Sequence, residues 1–422
     1  MTAARPSCSP SSPRTTRACT CAPGSERPPC RGRHDDAPPA PATTFPRVPS
    51  APLGALRESH GRGQPLAPSL SPLPMNVHQV LTTLENAQER GVDAGVDAHL
   101  ARLRSLLGDD LQRVEEDLPR YLESTVYPLA ETGQHLVAAG GKRIRPALVL
   151  LGALVTGQRG EGVRRLAIAG ELVHIATLLH DDVIDDAPLR RNAPTPRVVW
   201  SNTASVLGGD YALTRALDLV DSVDRPEPLR EAIATLRALV EGEILQVGLR
   251  TRERVLTRDY FDVAERKTAS LFRWCCRAGA HLSGDTRAVD ALGDYGANLG
   301  ICFQIVDDVL DFEARPDALG KALLADLAEG KPTLPVLLAL EEAPELQKAF
   351  DDLRQRAAHD GASDEDITRF VGDLKRTRAL QHARRLGTER ARSAVDALTP
   401  LPESEARDAL VRIATSLAAR VH

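Results

Sequence analysis

The chain has 422 residues, of which 42% are hydrophobic and 26% are charged, and its formal net charge at pH 7 is −5. These proportions are ordinary for a globular protein with an ample core, and the acidic balance argues against a nucleic-acid binder. No run of about eighteen uninterrupted apolar residues occurs, so the sequence predicts no transmembrane helix and at most peripheral contact with a membrane.

Residues 1–74 differ from the rest in composition. They hold 16 of the 30 prolines, no lysine, nine arginines and four acidic residues, so their local charge of +5 leaves −10 for the remainder. The prolines exclude the amphipathic helix of a transit peptide. Helical periodicity begins right after the second methionine, Met75. We therefore expect residues 1–74 to be a disordered extension or a mis-assigned start, and residues 75–422 to form the folded domain.

The cysteines divide in the same way. Four lie in the extension, and their spacing matches no zinc site, whereas Cys275, Cys276 and Cys302 lie in apolar helical segments. We interpret these three as small buried residues of a reducing compartment, which predicts a cytoplasmic protein.

From Met75 onward the apolar residues recur with helical spacing, and almost nothing alternates with period two. The predicted helices cover residues 100–118, 119–137, 148–154, 164–186, 204–220, 229–249, 260–282, 289–312, 334–340, 367–374, 386–398 and 410–421. Pro146 is expected to be the first residue of its helix. The pattern predicts an all-α fold.

Two of these helices end in the pattern D-D-x-x-D within apolar flanks. The carboxylates at its first and last positions are one turn apart on one face, where they repel each other unless a cation intervenes. Oxygen-only ligands suit Mg²⁺, which completes its shell with water and phosphate. The candidate metal ligands are Asp181, Asp182, Asp185, Asp307, Asp308 and Asp311. Solvated acidic faces and an EF-hand loop are the alternatives, but core-like flanks oppose the first, and the missing mid-loop Gly and closing Glu oppose the second.

Basic residues lie beside both clusters. The turn Gly140–Pro146 contains Lys142, Arg143 and Arg145 directly before a helix, which is typical of an anion site. His174 lies two turns before Asp181, and Arg190 and Arg191 follow the first cluster. Lys267, next to Thr268, lies in an apolar segment, where a cation needs a partner.

This ordered set of motifs closely resembles the trans-polyprenyl diphosphate synthase family. The resemblance runs from about Leu118 to Leu340 and includes Gly-Gly-Lys-Arg-Ile-Arg-Pro, both aspartate clusters, Lys267-Thr268 and the lysines of the loop after the second cluster. It implies an isoprenoid-synthase-like helical bundle around a central cavity, usually a homodimer, in which isopentenyl diphosphate is condensed with an allylic diphosphate. Residues 75–422 would be the catalytic domain.

The resemblance also implies residue roles. The six aspartates would hold Mg²⁺ on the allylic diphosphate, which Arg190, Lys267, Thr268, Gln304 and Lys321 would also contact. Isopentenyl diphosphate would be bound by Lys142, Arg145, His174 and Arg191. The residues expected to act most directly on the reaction are Asp181, Asp185, Lys267 and Asp307, because charge grows on the departing diphosphate and needs no protein nucleophile.

The resemblance also bears on product length and on which other functions are possible. In the family, the residues four and five before the first aspartate line the growing tail; here they are the small Thr177 and Ala176, with Val173 and Gly170 further along, which predicts a long all-trans product. A terpene cyclase would share the first cluster but not an all-aspartate second one. A non-catalytic subunit of a heteromeric synthase would be expected to have degenerate clusters, and both are intact here.

Overall fold

The computed structural model describes residues 95–191, 193–313, 324–359 and 362–420, and the structural statements below refer to these ranges. The α-helices there are α1 (Gly95–Asp117), α2 (Leu129–Ala138), α3 (Ile144–Val155), α4 (Glu161–Ile184), α5 (Pro196–Val199), α6 (Asn202–Asp221), α7 (Pro226–Leu249), α8 (Thr257–Ala264), α9 (Ser270–Ala280), α10 (Thr286–Asp311), α11 (Ala325–Ala328), α12 (Leu334–Glu342), α13 (Gln347–His359), α14 (Asp364–Leu374), α15 (Ala379–Ala397) and α16 (Glu405–Ala419). Single 3₁₀ turns lie at Arg120–Leu122, His281–Ser283 and Pro344–Leu346.

The helix boundaries have local causes in the sequence. Ser201, Asp285 and Ser404 cap α6, α10 and α16, each accepting a hydrogen bond from a backbone N–H of the first turn. Proline begins α5 and α7, where its missing N–H costs nothing. These signals fix where the long helices start.

The core is formed by the long helices packing side by side. Helix α4 packs mainly against α6, and α10 packs against α9 and α15. The middle of α4 is buried almost all round, from Leu166 to Ala176. Tyr295 of α10 is fully buried, and its hydroxyl donates to the carbonyl oxygen of Leu410 in α16 at 2.7 Å. This central position of α4 and α10 brings the ends of both helices into the interior of the bundle.

The remaining regular structure is an antiparallel pair of two-residue strands, β1 (Leu189–Arg190) and β2 (Ala193–Pro194), which pairs Arg190 with Ala193. Its position directly after α4 holds Arg190 close to the first aspartate cluster. Within the described ranges, no helix is both long and apolar enough to cross a membrane.

The all-α prediction is confirmed, with two local errors. The predicted helix at 119–137 is interrupted, since only Arg120–Leu122 forms a turn before α2 begins at Leu129. The cause is Pro128, which has no N–H and disfavours helical geometry at Tyr127. Pro146 is the third residue of α3 rather than the first, a position in the first turn that still loses no hydrogen bond. The predictions for residues 1–74 and for the start at Met75 lie outside the described residues.

Candidate active site

Both aspartate clusters lie at the C-terminal ends of their helices. Helix α4 ends at Ile184 with Asp185 as its cap residue, and α10 ends at Asp311. A helix C-terminus carries partial negative charge, so carboxylates there are disfavoured twice, by the dipole and by each other. The fold must therefore supply cations or hydrogen-bond donors to these two helix ends.

The first cluster is surrounded by cations. Arg190 donates through Nε to Oδ1 of Asp182 at 2.7 Å. Arg250, at the end of α7, donates to Oδ1 of Asp185 at 2.7 Å, and Nζ of Lys331 lies 3.6 Å from Oδ2 of the same residue. Burial raises the pKa of Asp185, but Lys331 and Arg250 outweigh it and leave the pKa below its usual value. Asp185 is therefore ionised at neutral pH.

Asp182 is the interior member of this cluster. Its side chain is completely buried, and its Oδ2 has no hydrogen-bond partner among the described residues. Burial raises the pKa of Asp182, while the charge and hydrogen bond of Arg190 lower it. A buried oxygen with no donor beside it is suited to a cation.

Asp181 lies near Lys267, and Lys267 belongs to an unusual helical turn. Residues Glu265–Ala269 form one turn of π-helix between α8 and α9, and such turns occur often at functional sites. Lys267 donates to Gln246 at 2.7 Å and pairs with Glu243, which confirms the predicted need for a partner. Burial raises the pKa of Asp181 to about 6, and the nearby Lys267 lowers it.

A glycine makes this contact possible. A Cβ on Gly242 would lie 2.8 Å from the backbone nitrogen of Lys267, a distance that side-chain carbon atoms do not adopt. The Glu-Gly-Glu segment of α7 therefore lets the backbones of α7 and the π turn approach closely, so that Glu243 and Gln246 reach Lys267.

Within the second cluster, Asp308 is held by neutral donors, whereas the charge of Arg420 acts on the neighbouring Asp307. Gln304 donates to Oδ1 of Asp308 at 2.9 Å, and the backbone N–H of Leu334 donates to Oδ2 at 3.2 Å. Asp308 is buried, and burial, followed by the charge of Asp326, raises its pKa to about 7. Asp307, one position earlier on α10, is exposed at the surface of the site.

The π turn joins the two clusters. Lys267 acts on Asp181 of the first cluster. The adjacent Thr268 donates to Oε1 of Gln304 at 2.8 Å, and Gln304 in turn bonds Asp308 of the second. Two consecutive residues thus reach both clusters, which places the ends of α4 and α10 around one site as the sequence predicted.

The basic turn before α3 divides into structural and site residues. Arg143, in left-handed backbone geometry with φ 45°, is buried and donates to Glu171 at 2.8 Å and Glu115 at 3.2 Å. Lys142, beside it, is exposed. Arg143 therefore holds the turn in place, while Lys142 extends away from the core.

Arg145, His174 and Arg191 form a basic group near this turn. Burial, and then the charges of Arg145 and Arg191, lower the pKa of His174 well below its usual value, so its ring is neutral and can donate one hydrogen bond. The guanidinium of Arg145 lies over the Phe272 ring at 5.5 Å. Arg191 lies against Gly141, where a Cβ would come within 3.3 Å of it. The structure therefore brings together three of the four residues predicted for the second anion, Arg145, His174 and Arg191.

Some residues of the site were not predicted. Arg250, Glu243 and Gln246 all lie on or just after α7, and their only sequence signal was the Glu-Gly-Glu segment followed by a late arginine. Lys331 was noted only as part of a loop, yet its Nζ contacts Asp185, Asp326 and Glu329. The predicted residue Lys321 lies outside the described residues.

The small residues of α4 lead away from the first cluster. Ala176 and Val173 are buried, and a Cβ on Gly170 would lie 3.4 Å from the ring of Trp274. The indole nitrogen of Trp274 donates to the carbonyl oxygen of Pro228 at 3.0 Å, at the start of α7. The ring of Trp274 therefore lies beside Gly170, three turns before Asp181.

Comparison with known proteins identifies the family. The sequence profile named Polyprenyl synthetase matches residues 127–372, which include both aspartate clusters, the basic turn and the π turn. The chain belongs to the polyprenyl synthetase family. As a member of it, this protein is an enzyme that transfers prenyl groups.

Relatives of this polyprenyl synthetase are similar over most of their length. It is 38% identical to an octaprenyl diphosphate synthase of Haemophilus influenzae, over 74% of this chain and 94% of the relative. It is 37% identical to heptaprenyl diphosphate synthase component 2 of Geobacillus stearothermophilus, over 76% and 99%. A crystal structure of a Caulobacter crescentus polyprenyl synthase, complexed with calcium and isoprenyl diphosphate, has a TM-score of 0.71 and 33% identity, covering 76% of this chain and 97% of that one.

The site of this polyprenyl synthetase fits a hard divalent ion that is completed by substrate. Among the described residues, no three acidic, histidine or cysteine side chains form a ready-made metal cage. Mg²⁺ typically takes one or two carboxylates and fills its shell with water and substrate phosphate. The donor set of carboxylates, with the unpartnered Oδ2 of Asp182, matches that mode of binding.

Proposed function

We propose that this active site joins isopentenyl diphosphate to an allylic diphosphate in a Mg²⁺-dependent reaction, and repeats the step to make a long all-trans polyprenyl diphosphate. The observation that carries the proposal is the link made by the π turn, in which Lys267 reaches the first aspartate cluster and Thr268, through Gln304, reaches the second. A diphosphate bound beside Lys267 would meet carboxylates from both helices.

The aspartates divide into two roles in this proposal. Asp181, Asp185, Asp307 and Asp311 would hold the metal ions, because the members of each pair are one turn apart on one helix face. Asp182 and Asp308 would add metal ligands from inside, Asp182 through the Oδ2 that has no hydrogen-bond partner among the described residues, while Arg190 and Gln304 orient the two side chains. Mg²⁺, when bound, would supply positive charge to neutralise the departing diphosphate.

The fixed cations of the chain would act on the same charge. Lys267 and Arg190, with Thr268 and Gln304 as neutral donors and Lys321 from the following loop, would hold the allylic diphosphate while its C–O bond breaks. Before substrate binds, Lys267 is held by Gln246 and Glu243, and Arg190 is held by Asp182. Donors fixed in advance stabilise growing charge without reorganising.

Isopentenyl diphosphate would bind at the basic group formed by Lys142, Arg145, His174 and Arg191. The neutral His174 would donate a hydrogen bond, and the lysine and arginines would supply charge. Because this group and the π turn are separate sets of residues, each diphosphate has its own anchor. The double bond then attacks the allylic carbocation, and the proton lost afterwards goes to the released diphosphate.

The growing tail would follow the small residues of α4. It would pass Ala176 and Val173 toward Gly170, beside which the ring of Trp274 lies. The residues Ala176 and Thr177 offer no aromatic ring near the diphosphate, in agreement with a long product.

We propose a homodimer formed through α7. Ile233, Val240, Ile244 and Val247 lie on one face of that helix, and Val240 and Ile244 are 65% and 68% exposed. An apolar stripe of this extent is typical of a surface that pairs with a second copy. A cytoplasmic location would agree with the free, buried thiols of Cys275, Cys276 and Cys302.

Incubation of the purified protein alone with farnesyl diphosphate, isopentenyl diphosphate and Mg²⁺ tests the proposal, with product sizing by chromatography. A ladder of long polyprenyl diphosphates is expected, together with a dimer in sedimentation. Cyclised products would favour a terpene cyclase. No product alone, but product after addition of a second protein, would favour a subunit of a heteromeric synthase.

A further inference from the structure

Arg354 of α13 lies outside every motif that predicted the site, yet it binds the end of α7. Its guanidinium donates to the carbonyl oxygens of Leu249 at 2.8 Å and Arg252 at 3.0 Å, and also to that of Arg250. The last carbonyls of a helix have no donor within the helix, and they carry its negative dipole end. Leu249 is the last residue of α7, Arg250 is its cap and Arg252 follows, so one largely buried cation fixes the path of the chain where α7 ends.

The same residue supports a second segment. Gly330 has φ 69°, in the left-handed region, and a Cβ there would lie 3.2 Å from the Cα of Arg354. The turn at Gly330 therefore rests directly on the backbone of α13 at this position. The side chain of Arg354 is itself fixed, since it is 10% exposed and its guanidinium lies 5.7 Å from the centre of the Phe350 ring.

The two supported segments carry the two cations that hold Asp185. Arg250, at the end of α7, donates to Asp185 at 2.7 Å, and Lys331, directly after Gly330, lies 3.6 Å from it. Both cations also reach Glu329, at 3.5 Å and 2.8 Å. Arg354 thus lies behind both contacts of the last carboxylate of the first cluster without touching that carboxylate.

We propose that Arg354 is a positioning residue for the prenyl transfer reaction, which acts through Arg250 and Lys331 to hold Asp185 in place for the metal-bound allylic diphosphate. The inference rests on the proposed role of Asp185. It predicts that Arg354 affects the allylic side of the site and leaves the isopentenyl diphosphate side, which consists of residues on other segments, unchanged.

The test compares Arg354→Ala with Arg356→Ala, two residues further along the same helix. Arg356 is half exposed and pairs with Asp366 of α14, away from the site, so it is a matched control for loss of an arginine from α13. Affinity for inorganic diphosphate with Mg²⁺ is measured by calorimetry, and KM is measured for each substrate. In Arg354→Ala we expect diphosphate affinity to fall about tenfold, the lower end of losses at groups that orient metal ligands. The KM for isopentenyl diphosphate should stay unchanged, and Arg356→Ala should match the wild type.

A double mutant distinguishes an effect of Arg354 that acts through Arg250 from independent structural support. If Arg354 acts through Arg250, then Arg250→Ala combined with Arg354→Ala should lose less diphosphate affinity than the sum of the single losses. Additive losses, or an equal rise in KM for both substrates, would overturn the inference. Wild-type diphosphate affinity in Arg354→Ala would overturn it as well.

If Arg354→Ala does not fold, Arg354→Lys provides the test instead. It keeps a cation and an aliphatic stem beside Phe350, but one ammonium cannot reproduce the planar fork across three carbonyls. A smaller loss on the allylic side alone is expected, and wild-type affinity would contradict the inference. The proposed function fails in a different way, namely by absence of product from the wild-type protein.

Discussion

The two aspartate clusters share one sequence pattern but are stabilised by different chemistry. Around the first, guanidinium and ammonium groups pair with Asp182 and Asp185. Around the second, an amide and a backbone N–H bond the buried Asp308. As a result the pKa of Asp185 lies below its usual value, while burial raises that of Asp308 to about 7. Carboxyls of the same motif therefore differ in how much of their charge the protein itself compensates.

This difference in pKa indicates which carboxyl group is ready to bind a cation before substrate arrives. Asp185 is ionised and fixed before substrate arrives, so this carboxylate is preorganised. The interior carboxyl of the second cluster is near half-protonation at neutral pH, and it gains most when a positive charge comes close. Asp185 therefore serves as the firm anchor, and Asp308 responds to what is bound.

The largest expected effect on activity is at Asp185. Asp185→Asn should lower kcat/KM by about a thousandfold, or ~4 kcal/mol, because it removes a charged metal ligand from the developing negative charge. Steady-state prenyl transfer assays measure it. Asp186→Asn is the matched control, since the neighbouring Asp186 is 83% exposed and pairs with Arg197. A loss of similar size in the control would remove the special role of Asp185.

The stability of the two clusters should respond in opposite directions. Arg190→Ala leaves Asp182 buried without its cation and should lower the free energy of unfolding by about 1–3 kcal/mol at pH 8. Asp308→Asn removes a buried carboxyl that has neutral partners, so the free energy of unfolding should be unchanged or up to about 1 kcal/mol higher. Denaturant unfolding without metal measures both, and equal destabilisation would contradict the comparison.

The pH dependence follows from the raised pKa values. Below pH 6 Asp181 holds a proton that must leave when a metal ion binds, so affinity for Mg²⁺ and diphosphate should fall about tenfold per pH unit below 6. The stability of the metal-free protein depends on these protons in the opposite direction. Because the folded state holds these two protons more tightly than the unfolded chain, the contribution of Asp181 and Asp308 to the free energy of unfolding should decrease as pH rises from about 4 to 7, while the neutral His174 contributes in the opposite direction. Calorimetric titrations and unfolding curves across this range provide the check, and Asp308→Asn should flatten the decrease.

The smallest change in rate is expected for a substitution at Ala176, which lies beside the first cluster. Helix α4 carries Ala176 near its aspartates, while α10 carries Phe303, which packs on Phe272 with ring centroids 5.3 Å apart. Ala176→Phe should shorten the product by blocking the path along α4, with kcat for the first condensation reduced less than about tenfold, since no diphosphate contact is lost. Chromatographic product sizing measures the shift. Products of unchanged length would show that the tail follows another path.

Much of the fold was predictable because helices leave a periodic record in the sequence. The apolar spacing of α4, α7 and α10 gave their extents to within a few residues, as 164–186, 229–249 and 289–312. The break before Leu129 was missed because apolar residues continue on both sides of Pro128, and periodicity alone does not register a lost N–H. The π turn was not predicted either, since the apolar spacing of residues 260–282 predicts one continuous helix.

The amino-acid sequence by itself determined the all-α class, the pair of aspartate clusters and the basic residues that predicted a diphosphate site, because local spacing decides which side chains share a helix face. Only the tertiary structure decided which aspartate each cation holds. Arg250, Lys331 and Arg354 come from segments far apart in the chain, and Arg143 became a structural residue rather than a ligand. Ion pairing in a folded protein depends on distance and burial between elements, and sequence spacing records neither.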